Sequence, residues 1–245
     1  MNSRGALITG GLGDIGKAIA RQLASDGYRV CALYHQTNSE EANAFVKSLG
    51  DEHGAYQCDI SNEEAVRTLM DMLKDKGILF EICIHAATSP IIRKDVIGIS
   101  SEEFRQQFEV ATFGGFNIVH AIIPQFVSQR KGAVIGITTA ALDTPAGGAM
   151  VGYISAKAAL RGFLRELHRE QEKNGITVAA VSPGFVATSL QQDLPEQIFD
   201  FLKEREPNRS TPEEIAHVVS QIYSSAVQES GGQSFSVPQG ESSPL

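Results

Sequence analysis

The sequence predicts an α/β domain built on a doubly wound parallel sheet, with helices on both faces and no second unit. Three observations carry that expectation. Short runs rich in Val, Ile, Leu and Ala alternate with longer segments of helical period; the runs do not alternate polar with apolar, as fits strands covered on both faces; and a glycine-rich turn follows the first run. With 245 residues and 42% hydrophobic content the chain can bury one sizeable core, and no repeat or linker divides it before about residue 229.

Taken in order, the strands are ALIT (6–9), YRVCALY (28–34), AYQC (55–58), EICIHAA (81–87), AVIGIT (133–138), TVAAVS (177–182) and a last short QSFSV (233–237). The helix after the first strand sets Ile15, Ala18, Ile19, Gln22 and Leu23 on one face, all but one of them apolar. Two long helices are expected at about 101–127 and 152–174. The second carries Ala158, Leu160, Phe163, Leu164 and Leu167 on more than one face, more than one sheet face can cover. A helical pair, roughly 195–205 and 213–226, is split by Pro207; its second member starts at Thr211-Pro212-Glu213-Glu214, with proline in the first turn. The domain is expected to span 1–237, with a lid at about 189–206 and a loosely held tail at 238–245.

Composition narrows the function. A net charge of −8, from 29 acidic against 21 basic residues with no Lys/Arg run, leaves no footprint for nucleic acid or an anionic membrane. Cys31, Cys58 and Cys83 are odd in number and widely spaced in apolar runs, the usage of free thiols in a reducing compartment, with no metal spacing. The apolar run Ala6-Leu7-Ile8 is too short for a signal or a membrane segment, so a cytoplasmic protein is expected.

The turn Gly10-Gly11-Leu12-Gly13-Asp14-Ile15-Gly16 contains G-x-G-x-x-G between a strand and a helix. Glycines there permit a tight turn and close approach of backbone to a pyrophosphate, and the helix start offers free N–H groups to it. Asp14 suits a bare helix dipole but repels phosphate, so its side chain is expected to point away. At the end of the second strand, Leu33-Tyr34-His35-Gln36-Thr37-Asn38-Ser39 holds no acid before Glu40 to grip a ribose 2′-hydroxyl. His35, Thr37, Asn38 and Ser39 are donors for a 2′-phosphate, and NADP(H) is favoured over NAD(H). Tyr153 and Lys157, at i and i+4, share one helix face, where an ammonium would favour the phenolate of a tyrosine that is otherwise a poor acid at neutral pH.

With T-G-x-x-G-x-x-G at 9–16, Asp59 after the third strand, Thr138-Thr139 ending the fifth, Y-x-x-x-K and S-P-G-F-V-A-T at 182–188, all in this order, the chain resembles the short-chain dehydrogenase/reductase family. It is most similar in plan to the 3-oxoacyl-[acyl carrier protein] reductase-like members, as is Pro207-Asn208-Arg209 leading into Thr211-Pro212-Glu213-Glu214-Ile215-Ala216. The resemblance implies a Rossmann fold to about residue 237. It implies Tyr153 as general acid, Lys157 as the group that lowers its pKa and binds the nicotinamide ribose, and Thr139 in place of a serine that orients the substrate oxygen. It further implies cofactor contacts at Asp59 and Ile60 (adenine), Ala86 and Ala87 (ribose, by backbone), and Pro183, Val186 and Thr188 (turn and carboxamide). Thr138 is the alternative to Thr139 if the register slips by one, and Asp59 doubles as an N-cap for the next helix.

Two departures stand out. His85-Ala86-Ala87-Thr88 replaces the family's Asn-Asn-Ala-Gly, His85 reading as a structural histidine. Ala111 stands where the family has an asparagine that bends the helix and holds a proton-relay water, leaving backbone or Thr112 to take over. The tail Pro238-Gln239-Gly240 also differs from the usual Asp-Gly-Gly. The reading is an NADP(H)-dependent enzyme interconverting a carbonyl and a secondary alcohol, acting on a 3-oxoacyl thioester or related ketone. The alternatives are an NAD-linked dehydrogenase of a sugar or secondary-metabolite alcohol, and a catalytically weakened nucleotide sensor or scaffold. By resemblance the protein is a homodimer or homotetramer paired through its two long helices.

Overall fold

The structure is a computed structural model that describes residues 4–143, 148–191, 194–205, 209–224, 231–237 and 242–245, without the side chains of 201–205 and 224. Its elements run β1 (Arg4–Thr9), α1 (Asp14–Ser25), β2 (Arg29–Tyr34), α2 (Ser39–Leu49), β3 (Gly54–Gln57), α3 (Glu63–Asp75) and β4 (Leu79–His85) in the first half. Next come α4 (Ser101–Phe108), a π-turn (Glu109–Gly114), α5 (Gly115–Gln129), β5 (Gly132–Ile137), α6 (Val151–Gln171) and β6 (Ile176–Pro183). The chain closes with β7 (Phe185–Val186), α7 (Glu196–Arg205), β8 (Arg209–Ser210), α8 (Pro212–Ser224), β9 (Gln233–Val237) and β10 (Ser242–Pro244).

The main sheet has the order β10-β9-β6-β5-β4-β1-β2-β3, parallel throughout except for the β9–β10 pair. The chain starts at the centre with β1, winds outward through β2 to β3, then crosses back to lay β4 on the other side of β1. This reversal opens a crevice beyond the carboxyl ends of β1 and β4. One core, including Ile19, Leu23, Val30, Ile215 and Val219, lies under α1 and α8; the other, including Leu69, Leu73, Ile118, Phe126, Leu160 and Leu164, lies under α3, α5 and α6. All strands of the sheet's middle are buried, as their continuous apolar runs require, whereas β3 at the edge is only half-buried.

Helix starts follow from short polar side chains that satisfy free N–H groups. Asn38 caps α2, Asn62 caps α3, Ser100 and Glu103 form a reciprocal capping box on α4, and Thr211 and Glu214 do the same at α8. At the opposite edge from the crevice, the Glu81 carboxylate accepts from Arg4 Nε at 3.0 Å, Lys131 Nζ at 3.1 Å and Tyr223 OH at 2.8 Å, tying β1, β4, β5 and α8 together.

The structure departs from the sequence reading in two places. The helix expected at 101–127 is interrupted by the π-turn, which contains Ala111. The turn forms without the side chain that the resemblance makes responsible for a bend. Gly114 and Gly115 follow, and a Cβ on either would lie 2.7 Å from Ile60 Cγ1 or 2.9 Å from the His85 ring, so both let the helix press against the strand ends. The tail is not wholly loose: Ser242–Pro244 pairs antiparallel with β9 and Leu245 N–H donates to Gly232 O at 2.9 Å. Pro207, Asn208 and Pro238-Gln239-Gly240 lie outside the described residues.

Candidate active site

The crevice is a cavity of about 1140 Å³, walled by the glycine turn, the ends of β2 to β6 and the segment after β7. Its floor is set by backbone. Gly10 has φ +64°, and a Cβ there would lie 2.8 Å from Ala87 Cα; on Gly11 it would meet Ala32 Cβ at 2.7 Å, and on Gly16 it would meet Gly10 O at 2.1 Å. Gly13 is different: a Cβ there meets only Gly10 O, at 3.4 Å. The residue serves instead as the N-cap of α1 without a side-chain cap, which leaves the first-turn N–H groups facing the cavity between Leu12 and Ile15. A bare helix start above a turn packed too closely for Cβ atoms at Gly10, Gly11 and Gly16 fits a dinucleotide pyrophosphate.

Asp14 turns toward the lid. Its Oδ2 accepts from Ser189 N–H at 2.7 Å and Ser189 Oγ at 2.9 Å. His35 lines the far end of the cavity, exposed; Asn38, expected as a phosphate donor, uses its carbonyl to cap Glu40 N–H at 2.7 Å. Asp59 faces the cavity with its carboxyl held below the ordinary value, chiefly by hydrogen bonds from Ser61. Its Oδ1 accepts from Ser61 N–H at 3.0 Å and Ser61 Oγ at 2.6 Å, so it closes a local turn, and the N-cap of α3 is Asn62 rather than Asp59. Ile60 is buried, with its carbonyl accepting from Asn117 Nδ2 at 2.9 Å.

At the end of β4, Ala86 N–H donates to Thr9 O at 3.3 Å and Ala87 N–H to Thr9 Oγ1 at 3.2 Å. Pro183, Val186 and Thr188 line the same wall, with Thr188 Oγ1 3.5 Å from Val186 O. The threonines separate cleanly. Thr138 Oγ1 donates to Val181 O at 3.2 Å and bonds Ser182 Oγ at 2.6 Å, whereas Thr139 Oγ1 accepts from Ala141 N–H at 3.3 Å and the Thr139 hydroxyl pulls the Tyr153 pKa down. Both line the cavity, but the Thr138 hydroxyl is committed to β6, and Thr139 is the one whose hydroxyl acts on Tyr153.

Lys157 is 2% exposed, its Nζ donating to Ile137 O at 2.8 Å and lying 5.9 Å from the Tyr153 ring centroid. Burial lowers its pKa to about 8. Burial raises the Tyr153 hydroxyl, and the pull back down comes from Thr139 and Arg93. The resemblance assigns that pull to Lys157; in this geometry the ammonium is aimed at a strand carbonyl instead. Arg93 was not legible in the sequence because it sits in an irregular stretch with no periodicity. The fold places it on the same cavity as Tyr153, with Nη1 3.2 Å from Met150 Sδ and Nη2 donating to Gln191, and its charge lowers the Tyr153 pKa. Asn117 was also missed, although a lone asparagine inside an apolar helix is a signal that a buried acceptor awaits it.

A family model described as Enoyl-(Acyl carrier protein) reductase matches residues 11–242. The 3-oxoacyl-[acyl-carrier-protein] reductase FabG of Staphylococcus epidermidis is 28% identical over 244 residues, covering 96% of this chain and 97% of that protein. A 3-ketoacyl-(acyl-carrier-protein) reductase from Brucella melitensis, solved with NADH, superposes with a TM-score of 0.86 at 20% identity over 96% of each chain. A gluconate 5-dehydrogenase from Burkholderia cenocepacia, solved with NADP and tartrate, gives 0.85 at 22% identity over 96% of this chain and 93% of that one.

Two outcomes are expected from this geometry. Gly10→Ala should lower stability by about 1 kcal/mol or more and weaken dinucleotide binding, while Gly13→Ala leaves stability within about 0.5 kcal/mol, both read by urea unfolding and cofactor titration. Lys157→Met should raise the melting temperature at neutral pH by removing a buried charge. Because the folded lysine titrates at about 8 against 10.5 for the free group, the unfolded chain binds the extra proton between those values, and wild-type stability rises with pH across that window. Melting curves at the two ends of the window should show the advantage of the Met variant shrinking.

Proposed function

The chain belongs to the short-chain dehydrogenase/reductase family, and from that premise we propose how its cavity works. It is an oxidoreductase that interconverts a carbonyl and an alcohol with a nicotinamide cofactor. The finer reading is an NADPH-dependent reductase of a 3-oxoacyl thioester or related ketone. The observation that carries it is the convergence of Thr139, Tyr153 and Lys157 on the cavity that the glycine turn opens onto.

When bound, the cofactor supplies hydride. The chain's residues do the rest. Gly10, Gly11 and Gly16 would admit the pyrophosphate and the α1 N–H groups would face it; Asp59 would hold the adenine, and Ala86, Ala87, Val186 and Thr188 the nicotinamide half. Thr139 and Tyr153 hold the substrate oxygen, and Tyr153 keeps its proton at neutral pH because burial raises its pKa. It therefore enters the reaction as an acid, the form that reduction requires. Ile91, Val110, Met150, Phe185, Leu190 and Ile198 make an apolar wall beside it that suits an acyl chain. NADPH is supported by the absence of an acid between β2 and Glu40. A cytoplasmic setting and pairing of copies through α5 and α6, where Phe116 is 47% exposed and packs edge-on to Phe163, belong to the same reading.

One observation favours a second substrate class. The Arg93 guanidinium beside Tyr153 suits a polar, anionic alcohol such as a sugar acid.

Tyr153→Phe should lower kcat about 100-fold or more while the cofactor Kd changes less than about threefold, measured by NADPH oxidation and fluorescence titration. Full activity in that variant would sink the assignment. Calorimetry should give NADPH about tenfold tighter binding than NADH, and the reverse order would favour the NAD-linked alternative. A panel of 3-oxoacyl thioesters and hydroxy acids separates the two substrate classes, and tight NADPH binding with no turnover would mark a sensor or scaffold.

A further inference from the structure

His85 ends β4 at the centre of the sheet, 1% exposed, paired in register with Thr9 of β1. Its ring makes two hydrogen bonds, Nδ1 with Thr9 Oγ1 at 2.8 Å and Nε2 with Ala111 O at 3.0 Å. The carbonyl can only accept, so Nε2 carries the hydrogen and Nδ1 is the acceptor. Thr9 therefore donates to Nδ1, which agrees with its Oγ1 also accepting from Ala87 N–H. Every donor and acceptor in this chain has one direction. Burial, then the neighbouring Lys157 ammonium, hold the imidazole pKa at about 4 against the raising effect of the Ala111 carbonyl, so the ring is neutral at physiological pH.

Ala111 lies inside the π-turn, and the next residue, Thr112, donates from Oγ1 to Ala156 O at 3.1 Å. Ala156 immediately precedes Lys157. A continuous path thus runs from the Ala87 amide through Thr9, His85, the Ala111 carbonyl and Thr112 to the turn of α6 that carries the lysine. Gly115 leaves room for it, since a Cβ there would lie 2.9 Å from the imidazole. A π-turn is a costly local geometry kept where a site needs it, and here its carbonyl is gripped by a ring from the sheet.

We propose that His85 is a positioning residue: through its Nε2–H bond to the Ala111 carbonyl it holds the π-turn, and through Thr112 it sets the α6 turn bearing Lys157 against the nicotinamide side of the cavity. In this chain the imidazole does from the strand side what Ala111 has no side chain to do from the helix. It acts through geometry and relays no proton, because both ring nitrogens are committed. The inference rests on the roles proposed above for Tyr153 and Lys157.

The test splits the two bonds. Glutamine places its terminal amide near Nε2, and asparagine near Nδ1. His85→Gln keeps the bond to Ala111 and should retain kcat within about threefold; His85→Asn keeps only the bond to Thr9 and should lose about 10- to 100-fold in kcat, with a smaller change in substrate KM. A histidine that merely ties β4 to β1 predicts the opposite order. The proposal is overturned if the asparagine variant keeps its rate while the glutamine variant loses it, if both keep it, or if both fall equally.

A second readout needs no turnover. The imidazole 15N signals of the wild-type protein, with His85 assigned by its loss in His85→Gln, should show hydrogen on Nε2 alone and no titration from about pH 5 to about pH 8. An Nδ1–H tautomer, or titration near the free value, overturns the bonding on which the proposal depends. If no ketone is turned over by the wild type, the reading of Tyr153 fails while this measurement still decides the state of His85.

Discussion

The close approach of the turn after β1 to the end of β4 is the constraint on which the rest of the site depends. At Gly10 the backbone turns through a positive φ with no room for a Cβ against Ala87, and one residue earlier Thr9 bonds both the Ala87 amide and the His85 ring. Two strands distant in sequence are thereby pinned at the point where the sheet reverses its winding. The glycine turn at the start of α1 and the cavity wall formed by Ala86 and Ala87 take their positions from this contact.

The helix running from α4 through the π-turn to α5 spreads that constraint across the cavity. Asn117 holds the loop after β3 by the Ile60 carbonyl, His85 holds the π-turn by the Ala111 carbonyl, and Gly114 and Gly115 remove the side chains that would keep the surfaces apart. Each bond satisfies a backbone carbonyl that would otherwise be buried at a cost of about 1–3 kcal/mol. The same bonds therefore stabilise the fold and align the cofactor loops. The segment after β7 is tied in as well, through Asp14 to Ser189 and through Arg93 to Gln191. A carboxylate that would repel a phosphate is in this way directed to a serine of the segment that covers the site.

Burial sets the chemistry of the interior groups in opposite senses. It lowers the pKa of the Lys157 ammonium and raises that of the Tyr153 hydroxyl, so each is pushed toward its neutral form. Positive charge from Arg93 and a hydrogen bond from Thr139 offset part of the rise at Tyr153. Both shifts have desolvation as their largest cause, complete at Lys157 and opposed at Tyr153 by Thr139 and Arg93.

Much of this was written in local sequence. Strand positions followed from uninterrupted apolar runs, helix starts from Ser, Thr and Asn ahead of acids, and the phosphate turn from glycine spacing between a strand and a helix, because each depends on near neighbours and obeys a fixed period. The order of motifs led from Gly10 to Thr188 and placed the candidate residues around one cavity before any coordinates. Sequence alone left open which glycine is sterically required and which of Thr138 and Thr139 acts on Tyr153, named Asp59 as the cap of α3 where Asn62 serves, took as loose a tail whose last residues return to the sheet as β10, and gave no sign that Arg93 shares the cavity of Tyr153. Those depend on contacts between residues far apart in the chain, through distances of a few ångströms that no local pattern encodes. The sequence by itself determined the elements and the kind of chemistry; the tertiary structure decided which side chain meets which, because a hydrogen bond or a Cβ clash exists only once separate segments are brought together.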